Sequence, residues 1–343
     1  MFQILDNLTQ QEGLQTGFGY CIVLVLAIVA GLFLLTKGGD ALSDHSSILA
    51  KALGVPSVVV GLTIVSIATS APELFTSIAA IRSSAQGLII GNIIGSNIAN
   101  IGLILGLALM VKSVDTRDTI SKSQNITLLL LSFAFCCFLF FNPSQNLDGF
   151  SGALLLGFIA VYLFCTTAKA LGERKKEKEA KIDKKSPEAP LKALLLSAFF
   201  ILLSTAALWA GSDCLVFGAK NLAIIAGVPE ELIGFSILAI GTSLPELAAS
   251  ISLVKKGEHK MLLGNIVGSN LFNIGLVGGV AGVLGPVRST TPFPWIDYVS
   301  LLLLTVLLCF WLKGRTLTRK EGFVLLAGYL ASSLFTWALN GNA

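Results

Sequence analysis

The chain has 343 residues, 54% of them hydrophobic and only 13% charged, and a mean hydropathy of +0.81. That composition excludes an ordinary soluble α/β enzyme, and a net charge of +4 from 24 basic and 20 acidic residues provides neither a nucleic-acid-binding face nor an acidic disordered tail. The six cysteines (Cys21, Cys136, Cys137, Cys165, Cys214 and Cys309) lie in or beside apolar stretches without a C-x-x-C spacing, so they read as buried packing thiols, not as disulfides or zinc ligands.

Residues 1–17 carry Asp6 and Glu12 but no basic residue. They lack the charged start of a cleaved signal peptide, so the first apolar run is expected to stay in the mature protein. A bilayer core about 30 Å thick takes about 20 apolar residues per helix. Spans are predicted at 18–37, 57–81, 87–111, 124–141, 150–168, 192–212, 231–254, 261–284, 295–312 and 322–339. The expected fold class is an all-α polytopic membrane protein of ten helices. With the amino terminus outside, all of the 24 basic residues except Arg82, Lys220 and Arg288 fall in or beside cytoplasmic loops, as the positive-inside rule requires. Both termini then face outward, and His45 and His259 lie in cytoplasmic loops. The Lys-, Glu- and Ala-rich run 172–191, with Pro187 and Pro190, reads as a solvated cytoplasmic linker between five-helix halves at 1–171 and 192–343.

One constant offset aligns Gly38–Gly102 with Gly211–Gly275 without a gap. Thr69, Ser70, Pro72 and Glu73 pair with Thr242, Ser243, Pro245 and Glu246, and Gly91, Asn92, Gly95, Ser96 and Asn100 pair with Gly264, Asn265, Gly268, Ser269 and Asn273. The repeats, at about 57–111 and about 231–284, are related by five spans and so are expected to run in opposite directions through the membrane. Inverted repeats with interrupted helices are characteristic of secondary transporters.

Of the 20 acidic residues, only Glu73 and Glu246 sit deep within apolar spans, with no Lys, Arg or His in the central part of these spans or of the two that follow. An ionised side chain at the bilayer centre costs about 2.5–3.5 kcal/mol even on lenient scales, so such a pair marks function. Salt bridging fails for want of partners, which leaves a protonated carboxyl or a bound cation. The neighbours favour the cation. Ser66, Ser70, Glu73 and Ser77 line one helical face, and Thr242, Ser243, Glu246 and Ser250 repeat the pattern. Pro72 and Pro245 have no N–H to donate, so each helix is expected to kink or unwind just before its Glu and to free carbonyls for an ion. Asn92, Ser96 and Asn100, and Asn265, Ser269 and Asn273, add oxygens at spacings of four. Gly91, Gly95, Gly264 and Gly268 read as small-xxx-small packing faces, with Asn92 or Asn97 as interhelical hydrogen-bond links. An all-oxygen shell carrying two negative charges suits calcium, which takes about six to eight flexible oxygen ligands, and sodium competes for the same oxygens.

The segments Ala68–Glu73 and Gly241–Glu246, each followed by Gly-Asn-Ile-x-Gly-Ser-Asn, resemble the two α-repeats of the sodium/calcium exchanger family over roughly the whole chain. The resemblance implies ion ligands at Ser66 (through its carbonyl), Thr69, Ser70, Glu73, Ser96 and Asn100. In the second repeat it implies Ala239 (carbonyl), Thr242, Ser243, Glu246, Ser269 and Asn273. It implies extrusion of calcium driven by sodium entry, with more positive charge entering as sodium than leaving as calcium. Some relatives have an aspartate where this chain has Asn273, and that acid is associated with potassium transport, so its absence argues against potassium dependence. The expected partners are calcium, sodium and the lipid bilayer, with no cofactor, ATP or nucleic acid and a single chain as the working unit. The expected setting is a prokaryotic inner membrane. A proton/calcium antiporter is the alternative, because the two carboxyls can take protons in place of sodium. A channel fits less well, and an enzyme or ATP-driven pump least, since H-E-x-x-H and Walker A motifs are absent.

Overall fold

The computed structural model describes residues 18–82, 87–141, 147–180, 191–226, 239–285 and 295–340, and these are almost wholly helical. The first helix, α1 (Phe18–Leu53), runs well past the expected span end at residue 37 and takes His45 and most of the expected loop with it. The reason is amphipathic periodicity in its polar tail, where Leu42, Ser46, Leu49 and Ala50 are all buried. The helix stops at Gly54, which takes φ 60°, and the Val55 N–H returns 3.1 Å to the Ala50 carbonyl.

The second expected span is a composite. In α2, Ser57–Val60 passes through a π-helical stretch, Gly61–Val65, into Ser66–Thr69, and α3 (Ala71–Arg82) follows after a break. α4 is similar: Gly87–Ala99, a π-helical stretch Asn100–Leu105, then Gly106–Val111. Next come α5 (Lys122–Phe141), α6 (Gly149–Ala180) and α7 (Leu191–Ile225). Residues 172–180 of the expected linker are therefore helical, and residues 181–190 lie outside the described residues. α7 likewise outruns its expected end at 212. Of the seventh expected span only residues from 239 onward are described, as the short α8 (Ala239–Gly241) and α9 (Leu244–Lys256). α10 opens on His259, which belongs to the helix and not to a loop. It runs His259–Phe272, a π-helical stretch Asn273–Val277, and Gly278–Leu284. α11 (Trp295–Trp311) and α12 (Arg319–Asn340) complete the described chain.

Among the described residues, seven helical runs are long and apolar enough to cross a membrane, and Trp295–Trp311 is a shorter apolar helix. In α4 and α10, 78% and 83% of the most apolar window is buried, against 22% in α1 and α7 and 11% in α6. α4 and α10 therefore form the centre, and the others turn apolar faces such as Leu26, Phe164 and Leu202 outward, as a lipid surround permits.

The two expected halves exchange helices. Late in the chain, α12 closes on α4, with Tyr329 and Leu325 over Gly102, and early-synthesised α6 closes on α10, with Ile159 over Gly275 and Leu156 over Gly279. The long helices α1 and α7 pack along each other so closely that a Cβ on Gly31 would lie 2.7 Å from the Gly211 carbonyl oxygen. Four loop regions meet at one end of the bundle. There β1 (Val114–Asp115) pairs antiparallel with β2 (Thr316–Leu317), the Asp115 N–H donates to His259 Nδ1 at 3.3 Å, and Lys256 at the end of α9 pairs with Asp44 of α1 at 2.8 Å. This is the basic end. The Asp148 carbonyl, before α6, lies against Gly282 near the end of α10, at the opposite end.

Candidate cation site

The site is built where two broken helices meet. In the first repeat the break falls on Ser70 (φ −85°, ψ 5°), and in the second on Ser243 (φ −90°, ψ 5°), the position equivalent to Ser70. The expected kink before each Glu is thus located on the serine two residues ahead of the proline. Each proline then occupies the first turn of the new helix, where a missing N–H is harmless. Glu73 and Glu246 occupy the first turns of α3 and α9, so both carboxylates lie at the positive ends of helix dipoles. Both are only 1% exposed.

The two repeats reach across to each other. Ser70 Oγ donates to Glu246 Oε1 at 2.9 Å. Neither Glu73 nor Glu246 forms an ion pair among the described residues. Glu73 Oε1 and Oε2, Glu246 Oε2, Ser243 Oγ, Ser269 Oγ and the amide atoms of Asn100 and Asn273 are buried without a hydrogen-bond partner in the protein. A fold that leaves so many buried oxygens unsatisfied around two carboxylates needs another positive or donating species there. The donor set of carboxylates, hydroxyls and amide oxygens is of the kind a hard cation takes.

Ser66 and Thr69 lie in the last turn of α2 and are fully buried. The Ser66 hydroxyl donates to the Gly61 carbonyl at 2.7 Å across the π-helical stretch, while its own carbonyl accepts the Ser70 N–H at 2.9 Å. Ser96 (3% exposed) and Asn100 (1%) lie on α4, and Ser269 (0%) and Asn273 (1%) on α10. Thr242 sits in the turn between α8 and α9 and is half-buried. Ala239 is the first residue of α8, at the position that Ser66 holds in the first repeat. Ser212 of α7 fixes the same turn through a 2.5 Å hydrogen bond to the Gly241 carbonyl.

Two residues outside the expected ligand set connect these parts. Asn265 Oδ1 lies 3.4 Å from both Thr69 Oγ1 and Ser66 Oγ, and its Nδ2 lies 3.5 Å from Ser250 Oγ. Asn92 repeats this in the other half, with Oδ1 3.5 Å from Thr242 Oγ1 and Nδ2 3.4 Å from Ser77 Oγ. Both asparagines hold the threonines beside the carboxylates. Their place in the repeat, four residues ahead of Ser96 and Ser269, was the available signal. Asn97 and Asn270 instead donate to Ile93 and Ile266 of their own helices, at 2.7 and 2.8 Å.

The profile of the sodium/calcium exchanger proteins matches residues 23–168 and 196–338. The chain belongs to the sodium/calcium exchanger family. That is a family of membrane exchangers and not of enzymes. A sodium/calcium exchanger of Methanosarcina acetivorans, MaX1, is 32% identical over 342 residues, covering 89% of this chain and 96% of the relative. The inner membrane protein YrbG of Escherichia coli is 33% identical over 315 residues, 88% of this chain and 93% of YrbG. Among solved structures, the sodium-calcium exchanger NCX_Mj soaked with 10 mM sodium and no calcium superposes with a TM-score of 0.77 at 28% identity, covering 91% of this chain and 98% of that one. The family model spans both repeats, so the two carboxylate-bearing breaks lie within the exchanger homology.

Proposed function

We propose that this chain exchanges sodium for calcium across a membrane by alternating access, both ions competing for the oxygen-lined site centred on Glu73 and Glu246. The observation that carries the reading is the buried carboxylate pair, joined across the repeats by Ser70 and surrounded by unsatisfied oxygens. The ligands are Glu73 and Glu246, with Thr69, Ser70, Ser96, Asn100, Thr242, Ser243, Ser269 and Asn273 and the carbonyls of Ser66 and Ala239. The homology to MaX1 and to NCX_Mj, both named as exchangers of these two ions, supports the choice of substrates.

In this reading the fold is ten spans in two inverted five-helix halves, 1–171 and 192–343, with the basic end in the cytoplasm, both termini outside and one chain as the working unit. The contacts support the inversion. α2 starts near His259 and Asp115 at the basic end and leads into α3 away from it, whereas α9 ends at the basic end on Lys256. Calcium neutralises the pair with its two charges, and sodium ions do so one charge each while using the same hydroxyls and carbonyls. With no cation, two buried like charges stand uncompensated, which opposes turnover of the bare protein and couples one ion's exit to the other's entry.

The site is more accessible from one direction. Toward the basic end, Thr69 and Asn265 are fully buried and α2 and α10 touch backbone to backbone, since a Cβ on Gly268 would lie 2.7 Å from the Leu62 carbonyl oxygen. Toward the other end, Asn92 and Thr242 are half-buried and Gly95 is exposed. This arrangement supports an outward-open form. The test is radioactive calcium uptake into sodium-loaded vesicles containing the purified protein, diluted into sodium-free medium, with Glu73→Gln and Glu246→Gln alongside. Uptake that needs internal sodium and is lost in both variants is expected. Uptake driven equally by a proton gradient without sodium would overturn sodium coupling.

A further inference from the structure

We infer that the groove between the start of α5 and the end of α11 is a binding site for an anionic phospholipid of the leaflet at the basic end. The groove has a volume of about 1060 Å³ and lies where both helices reach that end of the bundle. Its deeper walls are apolar and turned outward: Ile126 is 54% exposed, Val306 50% and Phe310 57%. Further along the same two helices Leu130 and Leu303 continue this track at 60% and 64%. Above it stand two ammonium groups, Lys122 and Lys313, with Asp118 as the one carboxylate in the lining.

Lys122 and Lys313 are the two basic residues that line the groove itself. Arg117 is bound to Asp115, whose carboxyl it holds down to about 2, Lys256 is bound to Asp44, and Arg315 to Glu321. Lys122 and Lys313 have no carboxylate partner among the described residues, and the Lys313 ammonium stands 5.2 Å from the Phe310 ring centre, at the border of the apolar wall. Apolar walls below a pair of unpaired cations match acyl chains below a phosphate, and basic pockets between spans at a membrane surface take anionic headgroups. The floor is rigid. Asn125 Nδ2 donates to the Cys309 carbonyl at 2.8 Å, tying α5 to α11, while Asn125 Oδ1 is buried without a partner. A lipid seated here would clamp the same two helices. The inference depends on the membrane setting and not on which ions are exchanged.

The test uses the full chain purified in mild detergent. Phosphatidylglycerol and phosphatidylcholine carrying a photoactivatable acyl chain are crosslinked to the wild-type protein and the labelled peptides mapped. The affinity for each lipid is measured by native mass spectrometry, with and without millimolar inorganic phosphate, for the wild type and for the Lys122→Gln, Lys313→Gln double variant. Expected are phosphatidylglycerol labels within 116–130 and 303–314, a preference over phosphatidylcholine, and about a 25-fold loss of affinity in the double variant. That loss is about fivefold for each lysine, the factor that roughly 1 kcal/mol per basic residue represents. Equal affinity for the two lipids, labels confined to other helices, an unchanged affinity in the double variant, or displacement by inorganic phosphate would each overturn it. If the double variant fails to fold, the labelling map and the lipid preference of the wild type decide the matter.

Discussion

The two repeats contain nearly the same residues at equivalent positions, yet the structure holds them differently. Asn265 and Thr69 are buried under a backbone contact between α2 and α10, and Gly268 leaves no room for a Cβ, which would lie 2.2 Å from Ser66 Oγ. Their counterparts Asn92 and Thr242 are half-buried, and a Cβ on Gly95 would meet nothing within 4 Å. Under the alternating-access reading proposed above, this difference is the one expected, because two inverted halves would exchange these packings on opening to the other side. The rims differ as well. At the sealed end Ser252 Oγ donates to Asp40 at 2.7 Å and Lys256 pairs with Asp44, whereas Asp213, the counterpart of Asp40, stands opposite a repeat that has Ala79 in place of Ser252.

The sharpest way to break this comparison is at the residues that should behave alike despite it. Glu73→Gln and Glu246→Gln are each expected to lower the initial rate of sodium-dependent calcium uptake by roughly 100-fold or more, the scale of losing about 3 kcal/mol from a buried charge pair. A variant that keeps a substantial rate would mean that only one carboxylate serves the ion. The glycines should behave oppositely. Gly268→Ala is expected to destabilise this form by about 1–3 kcal/mol through overpacking, while Gly95→Ala should stay within about 0.5 kcal/mol. Thermal unfolding in detergent measures both, and equal shifts would contradict the asymmetry.

The asparagines sharpen the picture further. Asn265→Ala removes the amide oxygen that Thr69 Oγ1 faces at 3.4 Å in a dry site, while Ser66 keeps its bond to the Gly61 carbonyl, and it should cost about 1–3 kcal/mol, read as a raised half-saturating calcium concentration. Asn92→Ala, on the wetter side, should raise it less, and the reverse order would show that water does not reach Thr242. The smallest effect is expected at the rim. Lys256→Ala removes a pair whose side chains are 30% and 59% exposed and should cost at most about 1 kcal/mol, vanishing in high salt. A larger, salt-independent loss would mean that this contact is a principal lock on the sealed end.

The chemistry was legible in the sequence because it violates the solvent. A carboxylate in an apolar run stands out, and two at equivalent places in a repeat stand out more. Glu73 and Glu246 are both buried, each in the first turn of a helix that starts just after the break, so Ser66 and Glu73 lie on two successive helices and not on one continuous face. The lengths of α1 and α7 were not legible from apolar content, since their ends are polar residues held by amphipathic packing, as Ser43 and Ser46 are buried beside Leu42. The break also moved: proline marks a missing donor, but the dihedral change fell on Ser70 and Ser243, ahead of it. The role of Asn92 and Asn265 depends on contacts between residues far apart in sequence, such as Asn265 with Thr69, which a pattern along one helix does not report. The β1–β2 pairing joins two residues from each of two loops and has no periodic signature at all.

The exchange of helices between the halves has a consequence for biosynthesis. α4 is made early, yet the surface around its Gly102 and Gly106 is covered by Leu325, Leu326 and Tyr329 of α12, a helix made far later. The first half therefore cannot finish folding as it emerges, in contrast to a chain whose domains mature in order. It must wait in the membrane with that seam uncovered, and a chain that stops short of Arg319 leaves the groove of α4 exposed to lipid or to a stray partner.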